Sequence, residues 1–94
     1  MLMIIGADHL GGIEKNLYDH GFTDIAHIRG RNVADRKKIN IPSNTALIVV
    51  LTDYINHMTA KYIKDQAKAQ GVPMVFAKRS WCFLAKELSR CGAI

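Results

Sequence analysis

The sequence of 94 residues contains only two cysteines and two prolines, and it has no long hydrophobic run. Cys82 and Cys91 do not make a disulfide framework, and their spacing matches no common metal knuckle, so we expect reduced thiols in a cytoplasmic protein. The longest uncharged apolar runs, such as residues 46–51, are far shorter than the ~20 residues of a membrane-spanning helix. The first residues carry no basic segment and reach Asp8 early, which indicates a first strand and not a secretory signal.

The composition is that of an ordinary globular domain. Apolar residues make up 49% of the chain and charged residues 22%, which excludes collagen-like, coiled-coil and low-complexity classes. The length fits one core, and the sequence shows neither a repeat nor a linker. We therefore expect a single domain over residues 1–94.

Positive charge exceeds negative charge along this chain. Thirteen Lys and Arg against eight Asp and Glu give a net charge of +5. The excess is concentrated in residues 29–38 and in Lys61, Lys64 and Lys68, which recur at helical spacing. It favours anionic partners, including nucleic acid or an acidic protein, although a solvated surface has the same pattern. The aromatic residues do not interleave with these basic groups as a base-stacking platform would require.

Four apolar stretches alternate with segments of helical periodicity. Residues 1–6, 23–28, 46–51 and 72–77 are expected to be strands, and the β-branched run at 46–51 is typical of a strand buried on both faces. Each intervening helix should begin at a capping residue and end at a glycine. The expected helix bounds are Asp8 or His9 to Gly21, Thr52 or Asp53 to Gly71, and Ser80 to Gly92. Residues 33–39 are ambiguous between a short helix and a loop.

This alternation predicts an α/β fold, a small three-layer Rossmann-like or flavodoxin-like unit around a four-stranded parallel sheet. A parallel sheet needs helices on both faces. If the helix at 33–39 is short, one face would be incompletely covered. We therefore expect a homodimer or a higher homo-oligomer.

Polar and glycine residues follow each expected strand, at the sheet edge where open α/β folds bind ligands. Backbone N–H groups after the first strand and guanidinium groups from other loops would suit a small anionic ligand, either phosphate-bearing or a nucleotide. The candidate ligand-binding residues are Gly6, Asp8, His9, Gly11, Gly12, His27, Arg29, Arg31, Thr52, Asp53, Asn56, His57, Arg79 and Ser80.

The first of these loops, residues 6–12, matches neither the dinucleotide-binding Gly-x-Gly-x-x-Gly pattern nor a phosphate-binding P-loop. The acidic residue that would bind a ribose after the second strand is also absent. Arg29 and Arg31 stand there instead, and guanidinium groups suit a phosphate better than a ribose diol.

Three histidines offer an alternative interpretation. His9, His27 and His57 follow or end different strands, and imidazole is a ligand for haem iron and for transition metals. The expected convergence of these loops would make a haem or metal site, although ordinary structural use is equally open. An apolar haem slot would be lined by Leu10, Ile28, Tyr54 and Met58.

No pattern for catalysis stands out. Ser80 lacks the Gly-x-Ser-x-Gly elbow, and no carboxylates are paired at acid–base spacing. Cys82 lies beside Lys78 and Arg79, but its apolar neighbours favour an inert packed thiol. A non-enzymatic binding or sensor domain is therefore the leading hypothesis.

The chain combines several short motifs: Ile-Ile-Gly at 4–6, His-Ile-Arg-Gly-Arg at 27–31, Thr-Asp-Tyr-Ile-Asn-His at 52–57, Gly-Val-Pro at 71–73 and Lys-Arg-Ser at 78–80. In these motifs it resembles a bacterial family of unknown function, DUF2325, over nearly its whole length. Family members often carry Ser where this chain has Asn56, and a Cys where it has Ala67 or Gln70. The resemblance implies a Rossmann-like fold and no agreed activity.

Overall fold

A computed structural model describes residues 1–29, 40–55 and 57–94 of the chain. The described elements are β1 Leu2–Ile5, α1 Gly12–Asp19, β2 Ile25–Ile28, β3 Leu47–Leu51, a short 3₁₀ turn Thr52–Tyr54, α2 His57–Gln70, β4 Met74–Ala77 and α3 Trp81–Arg90. The ambiguous segment at 33–39 lies outside the described residues. No helix in the described part of the chain is both long and apolar enough to cross a membrane.

The four strands form one parallel sheet in the order β2-β1-β3-β4. In the register of the sheet, Ile4 of β1 lies opposite His27 of β2 and Val49 of β3. The chain proceeds outward from β1 to β2 and then returns to β3 on the other side of β1. The order therefore reverses between β1 and β3, which confirms the expected four-stranded parallel sheet and fixes the edge where ligands bind in such folds.

The two central strands are buried on both faces, as their apolar sequences predict. Alternate side chains of β1 and β3, such as Ile4 and Val49, join the core beneath α1 and α3. The intervening side chains, such as Ile5 and Val50, pack on the opposite face with Ile63 of α2. Because helices cover both faces, the molecule has the expected three layers.

All three helices end at a glycine, as expected. Beyond α2, the Gly71 N–H donates to the Lys68 carbonyl and the Val72 N–H donates to the Ala67 carbonyl. The same pair of hydrogen bonds closes α1 at Gly21 and α3 at Gly92. This arrangement satisfies the last carbonyls of each helix and requires a positive φ that glycine adopts without strain.

Two expected helix starts are wrong. Helix α1 begins at Gly12 and not at Asp8 or His9, because the loop before it contains positive φ angles at Ala7 (62°) and Gly11 (55°). Helix α2 begins at His57, because Ile55 is extended (φ −137°, ψ 144°) and separates the 3₁₀ turn from the helix.

Gly6 is the point where β1 meets the end of β3. Its φ is +113°, and a Cβ on this residue would lie 2.8 Å from the Leu51 carbonyl oxygen and 3.1 Å from the Leu51 Cβ. Both atoms belong to a fully buried residue of the central strand. Only glycine therefore allows the backbone to turn here against β3.

Gly6→Ala is expected to lower the free energy of unfolding by about 3–5 kcal/mol, because backbone strain adds to overpacking against Leu51. The matched control is Gly71→Ala, since Gly71 also has a positive φ (+70°) but nothing within 4 Å of its Cβ position. The control should lose about 1 kcal/mol from strain alone. Urea unfolding, followed by fluorescence of the single tryptophan, measures both values. Equal losses in the two variants would show that the contact with Leu51 is unimportant.

Candidate functional site

The loop between β1 and α1 carries most of the candidate site, and its backbone is strained. Ala7 is a non-glycine residue with a φ of 62°, and its side chain is buried at 1% exposure. A left-handed conformation at such a residue costs about 1–2 kcal/mol and persists only where neighbouring groups hold it. Two side chains from distant parts of the chain hold this loop.

His27 of β2 is the first of these side chains. Its Nε2 lies 2.8 Å from the Gly6 carbonyl oxygen and 3.1 Å from the Ala7 carbonyl oxygen. Since a carbonyl oxygen only accepts hydrogen bonds, Nε2 carries the hydrogen and donates it to both. This ring nitrogen is therefore committed to the loop and is not free to bind a metal.

Arg79, between β4 and α3, is the second. Its Nε–H donates to the His9 carbonyl oxygen at 2.8 Å, across 70 positions of sequence. The same guanidinium places Nη2 3.4 Å from the position that a Gly11 Cβ would occupy. Within the described ranges, no carboxylate forms an ion pair with Arg79. Its outer N–H groups therefore keep their hydrogen-bonding capacity beside the first turn of α1.

The loop and the Arg79 side chain enclose a surface depression of 170 Å³, which is lined by Ala7, Asp8, His9 and Arg79. Gly11 and Gly12, at the start of α1, are exposed and have no side chains to cover the helix end. The first N–H groups of a helix have no acceptor within it, and the helix dipole adds partial positive charge there. Among the described lining residues, Asp8 is the one that carries a carboxylate.

The other candidate residues that the structure describes lie at the same sheet edge, but none of them lines the depression. The Thr52 hydroxyl donates to the Ala77 carbonyl oxygen at 3.4 Å and so joins the end of β3 to the end of β4. Ser80 occupies the N-cap position of α3, as expected, but its side chain makes no capping hydrogen bond. Arg29, Asp53 and His57 are exposed. Arg31 and Asn56 lie outside the described residues.

The three histidines do not assemble as a metal site would require. Among the residues that the structure describes, no group of three or more His, Cys, Asp or Glu side chains is placed to hold a metal ion. The suggested haem slot is also divided, because Leu10 packs beneath α1 and α3 whereas Ile28 packs on the opposite face of the sheet. The side chain of Tyr54 is not among those described.

Ala7 is the lining residue that the sequence did not identify. Its signal is its position between Gly6 and Asp8, directly after a buried strand, where the chain must turn sharply. Alanine has no functional group, and its unusual φ arises only in the folded loop. The residue type therefore gives no sign of a role in the site.

A second depression, of 220 Å³, lies at the opposite ends of the strands. Its charged groups are Asp24 and the terminal amino group, which donates to the Asn44 carbonyl oxygen at 2.9 Å. Its described lining includes no guanidinium or imidazole, and ligands of open α/β sheets bind at the other edge. The depression beside Arg79 is therefore the better candidate.

His27→Ala is expected to lower the free energy of unfolding by about 1–3 kcal/mol, because the mutation leaves two carbonyl groups of a strained loop without their donor. His57→Ala is the control, since His57 is exposed at the start of α2 and should change stability by about 0.5 kcal/mol or less. Urea unfolding of both variants measures the difference. Equal stability of the two variants would contradict a clamping role for His27.

Comparison with known proteins identifies one family. A model of the family described as "Uncharacterized protein conserved in bacteria (DUF2325)" matches residues 1–91 of the 94-residue chain. No curated protein and no solved structure matches the chain.

Proposed function

The chain belongs to the DUF2325 family, and we propose that it is a non-enzymatic binding or sensor domain for a small anionic, phosphate-bearing ligand. The observation that carries this proposal is the position of the Arg79 guanidinium. It is fixed through Nε to the His9 carbonyl and lies beside the exposed amino end of α1 without a carboxylate partner among the described residues.

An anion in this depression would receive two kinds of donor. The outer N–H groups of Arg79 provide charge-assisted hydrogen bonds, which are about twice as strong as neutral ones. The backbone N–H groups at Gly11 and Gly12 add the helix-end contribution, and the absence of side chains there allows close approach. Because the Nε bond to His9 orients the guanidinium before the ligand arrives, little side-chain entropy remains to be lost.

Asp8 narrows the class of ligand. Its carboxylate lines the same depression and would oppose a bare phosphate, whereas it would accept hydrogen bonds from hydroxyl or amino groups. A ligand that combines a phosphate with such donors, as a nucleotide or a sugar phosphate does, offers one group to Arg79 and another to Asp8. His9 lies at the same wall and supplies a further polar contact.

Binding is favoured over group transfer because the lining residues that the structure describes include no serine, threonine or cysteine nucleophile. A cytoplasmic location is part of the proposal and is supported by the free, exposed thiols of Cys82 and Cys91. So is a homodimer, which the exposed Phe76 on the outer strand β4 supports.

Arg79→Ala is expected to weaken binding of adenosine monophosphate by about ten- to a hundredfold, the equivalent of one or two charge-assisted hydrogen bonds. Arg90→Ala is the matched control, because Arg90 is exposed on α3 and its ion-pair partner within the described part of the chain is Glu87. Isothermal titration calorimetry of both variants and the parent protein checks this expectation. Equal weakening by the two substitutions, or no binding of any nucleotide or sugar phosphate to the parent, would contradict the proposal.

Asp8→Asn tests the selectivity argument. Removal of the carboxylate should strengthen binding of inorganic phosphate by about tenfold, because a repulsive charge is lost. The ratio of the two dissociation constants should therefore move toward inorganic phosphate relative to adenosine monophosphate. Competition titrations with both ligands measure this ratio, and an unchanged ratio would mean that Asp8 does not face the ligand.

A further inference from the structure

The outward face of α2 carries a row of cations that the site beside Arg79 does not use. Lys61, Lys64 and Lys68 are all exposed, and they lie opposite the buried residues Thr59 and Ile63 on the helix. We call these three residues the lysine row. Along an α-helix they span about 10 Å, at 1.5 Å of rise per residue.

The lysine row forms no ion pair within the described ranges. Asp65 lies on the same helix, one turn from Lys61 and from Lys68. Like charges at such spacing repel each other, so Lys64 repels Lys61 and Lys68, whereas Asp65 attracts those two lysines. An external polyanion would remove that repulsion.

A depression of 230 Å³ lies directly beside the lysine row and is lined by Met58, Lys61, Tyr62 and Asp65. Tyr62 is half-buried, and its ring packs against the core beneath α2, so that it forms a rigid wall. Lys61 belongs both to the row and to this depression. A flat aromatic group could therefore lie against Tyr62 while an attached negative charge reaches Lys61. The sequence-based expectation that no aromatic residue accompanies the basic groups is wrong at this position, because Tyr62 and Lys61 line the same depression.

We propose that this surface binds single-stranded nucleic acid, with phosphates along the lysine row and an unstacked base against Tyr62. A single strand offers both the repeated charges and the flat bases, whereas an acidic peptide offers only the charges. In a duplex the bases are stacked and paired, and they do not reach an aromatic wall without being extruded. The Asp65 carboxylate lines the same depression, where it would accept a hydrogen bond from an exocyclic amino group of the base.

The contribution of the row is tested by the dependence of binding on salt. Three phosphate contacts to a single strand give a slope of about −2 for log K against log salt concentration. Fluorescence anisotropy with a labelled 12-nucleotide single strand measures this slope for the full chain. Lys64→Ala should make the slope less steep by about 0.7, whereas the exposed α3 residue Lys86 is the control, and Lys86→Ala should leave it unchanged. A slope near zero in the parent protein would overturn the proposal.

The role of the ring is tested separately. Tyr62→Leu should weaken binding by about five- to a hundredfold without changing the salt slope, because stacking is lost and no charge is removed. Tyr62→Phe retains the ring and should bind like the parent protein, and circular dichroism confirms that both variants fold. Equal affinity of the Leu and Phe variants would overturn the stacking contact.

Two further experiments, a competition assay and a variant, identify the partner. Polyglutamate or vesicles of anionic lipid that compete as well as the single strand would show a general anion surface, which overturns the proposal. Lys64→Ala should leave binding of adenosine monophosphate unchanged, since Lys64 does not line the depression beside Arg79. This variant keeps failure of the present inference distinguishable from failure of the phosphate-binding proposal.

Discussion

The close contact between Gly6 and Leu51 determines the structure of the sheet edge at the carboxyl ends of the strands. It brings the end of β1 against the end of β3, where the strand order reverses, and it leaves no space for a side chain. The chain must then leave the sheet through a loop with positive φ angles at Gly6, Ala7 and Gly11 before it can enter α1. Every group that lines the depression depends on the shape of that loop.

A strained loop needs external support, and here the support comes from both sides of β1. His27 holds the beginning of the loop from β2, and Arg79 holds its end from the segment before α3. His27 uses Nε2 and Arg79 uses Nε to hold the loop. Each side chain has at least one further nitrogen that is not used for this purpose. In Arg79 the nitrogen Nη2 lies beside Gly11 at the start of α1, so the structural contact through Nε also orients the rest of the guanidinium.

Positive charge is arranged differently in two places. At the sheet edge the Arg79 guanidinium and the Asp8 carboxylate line one depression, and the guanidinium is held by a hydrogen bond. On α2 the exposed lysines form no ion pair within the described residues, so their charge is screened by salt. The net charge of +5 does not distinguish these two arrangements.

The sequence by itself determined the architecture, because the elements depend on local signals. The apolar run at 46–51 predicts a central parallel strand, and Gly21, Gly71 and Gly92 mark the helix ends. The starts of α1 and α2 were predicted wrongly. Before α1, the loop has positive φ angles that delay the helix. Before α2, the polar residues near Thr52 resemble caps, whereas the Thr52 hydroxyl donates a hydrogen bond to the end of β4.

Only the tertiary structure decided which polar residues form the candidate site. Sequence position places His9, His27 and His57 at one edge, but it does not show that His27 donates to two carbonyls or that Arg79 reaches His9 across 70 residues. The positive φ of Ala7 is likewise invisible in the sequence. The physical reason is that these contacts join segments distant along the chain, and their energies depend on directions that residue type and spacing do not encode.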